Sequence, residues 1–236
     1  MRHIVIAACG LWFVIAGAGF SQTADSEPVV VVELYTSQGC SSCPPADAYF
    51  AKLAQDARVI PLALHVDYWD YIGWADSFAN PKFTDRQKAY AHAVGSRTIY
   101  TPQMIVGGRD RVEGHQPDLV TELIREQLAA AQSVALVVRR NGDSLHIQAN
   151  SLRAVRGPVR VQLVRYRPSE AVMIEHGENA GMKVTYTNIV TSWQLIGEWP
   201  GAMPLDMKAD VRGEEPVVVI LQQDGPAEIL AAARIE

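Results

Sequence analysis

The sequence has few cysteines, no cluster of basic residues, no low-complexity tract and no internal repeat. Its formal net charge is −5. An acidic chain without a basic patch gives no indication of binding to nucleic acid or to an anionic membrane surface. Of the three cysteines, Cys9 lies in an N-terminal segment that we expect to be removed. Cys40 and Cys43 are therefore the cysteines that a mature protein would keep.

The N-terminus has the pattern of an export signal. A basic start precedes an uncharged run from Ile4 to Phe20, and small residues near the end of this run predict cleavage after Ala18 or Ser21. We expect residues 1–21 to be a signal peptide and the mature protein to be periplasmic or secreted, without membrane association. An uncleaved anchor and a lipid attachment at Cys9 are the alternatives. Export would place the remaining cysteines where disulfides persist.

Strand and helix patterns alternate in the first half of the chain. The apolar run from Val29 to Tyr35 is typical of a strand that is buried on both faces. A buried stripe at helical spacing follows from Cys43 to Ala57, and a second apolar strand runs from Val59 to Val66. A strand–helix–strand unit of this kind forms a parallel pair. Cys40 and His65 should therefore lie at the same edge of the sheet.

A helix, a hairpin and a final helix complete this half. Thr84 and Gln87 have the spacing of a capping box that opens the helix. Gly107-Gly108 between two short apolar runs indicates a hairpin, and Pro117 opens the last helix. The order βαβ, inserted helix, ββα is that of thioredoxin. Residues 28–132 are therefore predicted to form a thioredoxin-like α/β domain.

The pattern becomes all-β after Ser133. Asn141-Gly142 is a strong signal for a two-residue hairpin. Turn residues separate further apolar runs at Val159 to Tyr166, Ala171 to Ile174, Val184 to Ile189, Gln194 to Trp199, Val217 to Leu221 and Ile229 to Ile235. Short strands at this spacing predict a β-sandwich, so residues 133–236 are expected to form a second, all-β domain.

Cys40-Ser41-Ser42-Cys43 stands between the first strand and the first helix. The positive end of a helix favours a thiolate on the first cysteine. A structural bridge over so short a loop would gain little from chain entropy, so we favour a redox-active dithiol over an inert bridge or a metal site. Cys40 is then the exposed nucleophile and Cys43 the buried resolving thiol.

Thr101-Pro102 and Glu33 are candidates for supporting roles. Thr101-Pro102 directly precedes a short strand, where this topology returns the chain to the cysteines. A cis proline there would leave the preceding backbone groups free to bind an extended peptide. Glu33 is the only charged residue of its strand. It is either a carboxylate at the rim or a buried acid that accepts the proton of the resolving thiol.

His65 and Trp69 belong to an aromatic segment that extends beyond a strand end. We expect them to line the thiol site, with a structural histidine and simple packing as the alternatives. The polar loop from His176 to Gly181 could be a plain turn, and the sequence assigns no chemistry to it.

Four motifs also resemble a known family. They are Glu33 to Pro45, His65 to Trp74, Tyr100 to Gln103 and Gly177 to Gly181. Together they resemble a secreted bacterial family catalogued as domain of unknown function 1223, within the thioredoxin-like superfamily, over the chain from about Pro28 to the C-terminus. The resemblance implies a thioredoxin-like fold but no substrate.

From the wider superfamily, the resemblance implies that Cys40 is the nucleophile, Cys43 the resolving thiol and Pro102 a cis proline. One feature departs from the superfamily pattern. Many thioredoxins place the buried acid six residues before the first cysteine, whereas Glu33 stands seven residues before Cys40.

The expected function is thiol–disulfide exchange through a mixed disulfide at Cys40. The expected partners are a protein or a small thiol or disulfide substrate and a redox partner protein, with no nucleic acid, cofactor or metal. A first alternative is a protein that binds a soft ion such as copper(I) through Cys40, Cys43 and His65. A second is a non-catalytic binding module in which the sandwich docks a partner.

Overall fold

The computed structural model describes residues 22–24 and 28–235. The predicted signal peptide, with Cys9 and both predicted cleavage sites, lies outside the described residues. No helix within the described ranges is long and apolar enough to cross a membrane.

The described part of the chain contains three α-helices and twelve strands. The helices are α1 (Pro44–Leu53), α2 (Pro81–Ala93) and α3 (Pro117–Ala129), with a short 3-10 helix at Asp70–Ile72. The strands are β1 (Gln22–Ala24), β2 (Val30–Thr36), β3 (Val59–His65), β4 (Gln103–Val106), β5 (Asp110–Glu113), β6 (Val134–Asn141), β7 (Ser144–Ser151), β8 (Val159–Met173), β9 (Lys183–Trp199), β10 (Leu205–Asp210), β11 (Val217–Gln223) and β12 (Ile229–Ile235).

The strands form one large mixed sheet and one small antiparallel sheet. The large sheet has the order β12-β11-β8-β9-β3-β2-β4-β5, in which β2 is parallel to β3 and antiparallel to β4. The small sheet has the order β1-β6-β7-β10. It packs against the β8, β11 and β12 end of the large sheet, and the two enclose an apolar core that includes Leu136, Ile147, Val161 and Val219. The protein is thus a mixed α/β fold with two sheets.

The large sheet continues across the boundary that the sequence predicts near Ser133. Ala63 of β3 pairs in parallel with Ile189 of β9. Beside this contact, Asn188 donates its Nδ2 to the backbone carbonyl of Pro61 at 2.9 Å. The change from an α/β to an all-β pattern therefore does not coincide with a break in the sheet. Strand patterns show which segments are extended, but they do not show which strands pair.

Side chains of β2 alternate between two cores. Val32 and Leu34 face α1 and α3. Val31 and Tyr35 point to the opposite face, where Tyr90 of α2 covers them. This alternation follows from the two-residue period of a strand, and it decides which β2 side chains can reach the cysteines.

The start of α2 differs from the prediction. The helix begins after Asn80, whose Oδ1 accepts a hydrogen bond from the backbone N–H of Lys82 at 3.0 Å. Thr84 instead donates its hydroxyl to Asp67 Oδ1 at 2.5 Å, and Gln87 is buried in the middle of the helix. The capping-box spacing was therefore misread, because both side chains make tertiary contacts.

Strands β8 and β9 are each longer than predicted. The run from Val159 to Tyr166 and the run that begins at Ala171 belong to the single strand β8, and β9 likewise joins two predicted runs. The two strands stay paired over this length, with register shifts between Val161 and Gln162 and between Arg165 and Tyr166. The tip of this long hairpin, residues 174–182, reaches the loop between β2 and α1, as described below.

Candidate functional site

The cysteine pair occupies the turn between β2 and α1. Cys40 and Cys43 form a disulfide with a Cα–Cα distance of 5.4 Å. The backbone carbonyl of Cys43 accepts hydrogen bonds from the N–H groups of Ala46 at 2.9 Å and Asp47 at 3.1 Å, so Cys43 is the N-cap of α1. Pro44 and the proline after it fit this first turn, where N–H groups have no helical partner. The positive end of α1 therefore faces the disulfide.

Both cysteines are buried in the disulfide form. Cys40 is 1% exposed and Cys43 is 0% exposed, so the expectation that Cys40 is an exposed nucleophile does not hold for this state. Ser41 and Ser42 are exposed, and the Ser42 hydroxyl lies 3.4 Å from Cys40 Sγ. The neighbouring loops shield the sulfurs, and only the serine side of the turn faces solvent.

Thr101, Pro102 and Trp69 lie beside this turn. The Thr101–Pro102 peptide bond is cis, in agreement with the prediction. The Thr101 carbonyl lies 3.5 Å from the Ser42 hydroxyl, and the Thr101 hydroxyl accepts a hydrogen bond from Trp69 Nε1 at 2.7 Å. A Cβ added to Gly39 would lie 3.3 Å from Trp69 Cβ, so Trp69 approaches the disulfide loop closely.

Glu33 lies on the other side of the sheet. Its buried carboxylate accepts hydrogen bonds from Arg86 at 2.7 and 2.8 Å, from Tyr90 at 2.6 Å and from Tyr35 at 3.0 Å. Burial raises the pKa of both tyrosines, and the charge of Glu33 raises that of Tyr35 further. Both hydroxyl groups therefore remain hydrogen-bond donors. The structure does not bring Glu33 to the cysteines, because strand alternation turns it towards α2 and away from α1.

His65 contacts the site through Asp76. The buried His65 Nδ1 lies 2.7 Å from Asp76 Oδ2, which also accepts a hydrogen bond from the backbone N–H of Gln38 at 2.8 Å. The imidazole packs edge-on against Phe78 and Tyr186. Within residues 22–24 and 28–235, no group of three His, Cys, Asp or Glu side chains could hold a metal ion. His65 is therefore not placed as a third ligand beside the two cysteines.

Asp47 is a site residue that the sequence reasoning missed. It lies one helical turn after Cys43 and is 5% exposed. Its Oδ1 accepts a hydrogen bond from the Thr36 hydroxyl at 2.9 Å. Burial raises the pKa of Asp47 from 3.8 to about 7, against the opposing effects of His65 and Thr36. The i,i+4 spacing from Cys43 was the available signal, since side chains at this spacing are neighbours on a helix.

Asn179 is the second missed residue. It is 4% exposed and lies in the hairpin tip. Its Nδ2 donates to the backbone carbonyls of Gln38 at 2.8 Å and Cys40 at 3.0 Å. Trp74 Nε1 donates to Gln38 Oε1 at 2.8 Å, and a Cβ added to Gly177 would lie 3.3 Å from Trp74 Cβ. The polar loop from His176 to Gly181, to which the sequence assigned no chemistry, therefore holds the disulfide loop in place through these hydrogen bonds. We call this contact the clamp.

Residues 31–222 match the family described as a protein of unknown function, DUF1223. The chain belongs to this family. It is also similar to the crystal structure of protein AGR_C_4864 from Agrobacterium tumefaciens, with 33% sequence identity and a TM-score of 0.75. The similarity covers 89% of this chain and 95% of that one. No curated protein matches the chain.

The four motifs that carry the family resemblance meet at the disulfide. The first supplies the cysteines, the second Trp69 and Trp74, the third Thr101 and the fourth Asn179. These segments are far apart in sequence, so the fold itself assembles the site. The result is a buried disulfide at a helix N-terminus, with a buried carboxyl group one turn behind it.

Proposed function

We propose that this member of the family is a thioredoxin-like thiol–disulfide oxidoreductase that works through Cys40 and Cys43. The observation that carries the proposal is the position of the disulfide, at the N-terminus of α1 and beside Thr101-Pro102. A helix N-terminus stabilises a thiolate, so the site suits reversible exchange better than a permanent bridge. The proposed compartment is the periplasm or the exterior, where disulfides persist.

The arrangement of the first half supports a thioredoxin-like assignment. Strands β3, β2, β4 and β5 are neighbours in this order, and β2 and β3 are parallel. Helices α1 and α3 cover one face of these strands, and α2 covers the other. Thioredoxin-like proteins have this topology, and their cysteine pair lies between the strand that corresponds to β2 and the helix that corresponds to α1.

The proposed reaction has two exchange steps. The Cys40 thiolate attacks a substrate disulfide, so that a Cys40–substrate bond forms and one substrate sulfur leaves as a thiolate. Cys43 then attacks Cys40 Sγ, the Cys40–Cys43 bond forms, and the second substrate sulfur leaves as a thiolate. The substrate gains two electrons, which the protein dithiol loses. The same steps in reverse oxidise a dithiol substrate, whether it is a protein or a small thiol.

The test is a redox titration of the full chain carrying Cys9→Ser, so that Cys40 and Cys43 are its only thiols. The protein is equilibrated with glutathione buffers, and its free thiols are trapped and counted. We expect a reversible two-electron transition and reduction of insulin that requires Cys40. A reduction potential of about −270 mV would indicate a reductant, and one of about −120 mV would indicate an oxidant. A disulfide that stays closed in every buffer would refute the proposal.

A further inference from the structure

The group placed to handle the proton of Cys43 comes from α1 itself. Cys43 has helical backbone angles, and its carbonyl accepts the N–H of Asp47 at 3.1 Å. Side chains four residues apart on a helix have Cβ atoms about 5–6 Å apart. Asp47 therefore lies on the same face of α1 as Cys43, one helical turn further along the helix.

The surroundings of Asp47 suit a group that changes its charge during a reaction. Thr36 of β2 donates its hydroxyl to the carboxylate. His65 of β3 attracts the carboxylate electrostatically, and the Asp76 carboxylate repels it. Burial, followed by the charges of Asp47 and Asp76, raises the pKa of Tyr186, a β9 side chain that packs edge-on against His65. No ion pair holds Asp47 permanently in one state among the described residues.

The other buried acid near the site has the opposite character. Glu33 is held by Arg86 in a two-point ion pair, with further hydrogen bonds from two tyrosines. These four hydrogen bonds occupy both oxygens of the Glu33 carboxylate. It also lies on the sheet face away from α1. Glu33 therefore has a structural role, and Asp47 is the buried acid that α1 itself carries.

We propose that the Asp47 carboxylate, rather than Glu33, accepts the proton of the Cys43 thiol when the mixed disulfide is resolved. This inference rests on the proposed thiol–disulfide exchange. The proton moves from Cys43 Sγ to Asp47, and the resulting thiolate attacks Cys40 Sγ. The bond between Cys40 and the substrate breaks, and the substrate sulfur leaves with the electron pair. In the reverse direction, protonated Asp47 returns the proton to Cys43 as the disulfide opens.

Reaction with dithionitrobenzoate separates the two steps, because each attack releases one coloured thiolate. The reduced full chain carrying Cys9→Ser is mixed with this reagent and followed by stopped flow. The first phase reports Cys40 and the second reports Cys43. In Asp47→Asn, we expect the second phase at about pH 7 to slow by about 100-fold, the low end of general acid–base catalysis. The first phase should change by less than about twofold, since Cys40 does not use this base.

Two further variants define the mechanism. Asp56→Asn removes the same formal charge from a partly exposed position that contacts Arg58, and both phases should keep the parent rates. Thr36→Val removes the hydrogen bond to Asp47, which raises the pKa of Asp47. The parent second phase should accelerate as the pH rises through a midpoint near about 7. This midpoint should move to higher pH in Thr36→Val, and full activity should return above it.

The outcomes distinguish this inference from the proposed function. A parent that releases no second thiolate would refute both. A biphasic parent whose second phase is unaffected by Asp47→Asn, or slowed equally by Asp56→Asn, would refute the role of Asp47 alone. Equal slowing of both phases in Asp47→Asn would indicate a general structural effect and would also refute it. If Asp47→Asn does not fold, Thr36→Val decides, and an unchanged midpoint overturns the inference.

Discussion

Replacing Asn179 with alanine should loosen the hairpin tip from the disulfide loop. Asn179 Nδ2 donates hydrogen bonds to the backbone carbonyls of Gln38 and Cys40. The Cys40 carbonyl keeps the backbone N–H of Cys43 as a partner at 3.2 Å. Among the described residues, the Gln38 carbonyl has no other donor. A buried carbonyl left unpaired costs about 1–3 kcal/mol and a lost hydrogen bond about 1 kcal/mol, so we expect a loss of about 3 kcal/mol.

Denaturant unfolding of the oxidised protein measures this loss as a change in the free energy of unfolding. Glu178→Ala is the matched control, because Glu178 is an exposed neighbour in the same loop and its replacement should stay within about 0.5 kcal/mol of the parent. The same loosening should expose the disulfide. We therefore expect dithiothreitol to reduce the Cys40–Cys43 bond faster, by at most about 100-fold, since about 1.4 kcal/mol corresponds to a factor of ten. A loss below about 1 kcal/mol together with an unchanged reduction rate would refute the clamp.

Two further predictions concern the buried acids. Because burial raises the pKa of Asp47 from 3.8 to about 7, the folded protein holds a proton there that the unfolded chain releases. Stability should therefore fall as the pH rises through this window. Asp47→Asn should remove the fall, measured by urea unfolding at about pH 5 and about pH 8, and an unchanged slope would contradict this cause. Glu33→Gln leaves the buried charge of Arg86 without its carboxylate, so we expect a loss of about 3–5 kcal/mol in thermal unfolding. The second thiol phase, which reports Cys43, should stay unchanged, and a slowed second phase would contradict the separation of Glu33 from the site.

Local patterns were sufficient to predict much of the α/β half. The apolar runs and the helical stripe gave β2, α1 and β3 to within a few residues, and Gly107-Gly108 and Asn141-Gly142 gave two hairpins. These elements depend on interactions within a short stretch of chain, so the residues that determine each one lie within that stretch. The position of the cysteine pair at the start of α1 was predictable for the same reason. The strand β10 was missed because it contains no continuous apolar run, although its alternation of apolar and charged residues is itself typical of a half-buried strand.

Tertiary structure alone decided the polar partners of the site. The sequence left Glu33 as either a rim carboxylate or a buried acid, and it could not assign this strand residue to the face that Arg86 covers. Nor could it show that Asn179, 139 residues from Cys40, clamps the disulfide loop, or that β9 extends the same sheet. Hydrophobic periodicity predicts whether a position is buried, because an apolar side chain needs no specific partner in order to be buried. A buried polar group needs a specific partner, and that partner can come from any element that the completed fold brings within hydrogen-bond distance.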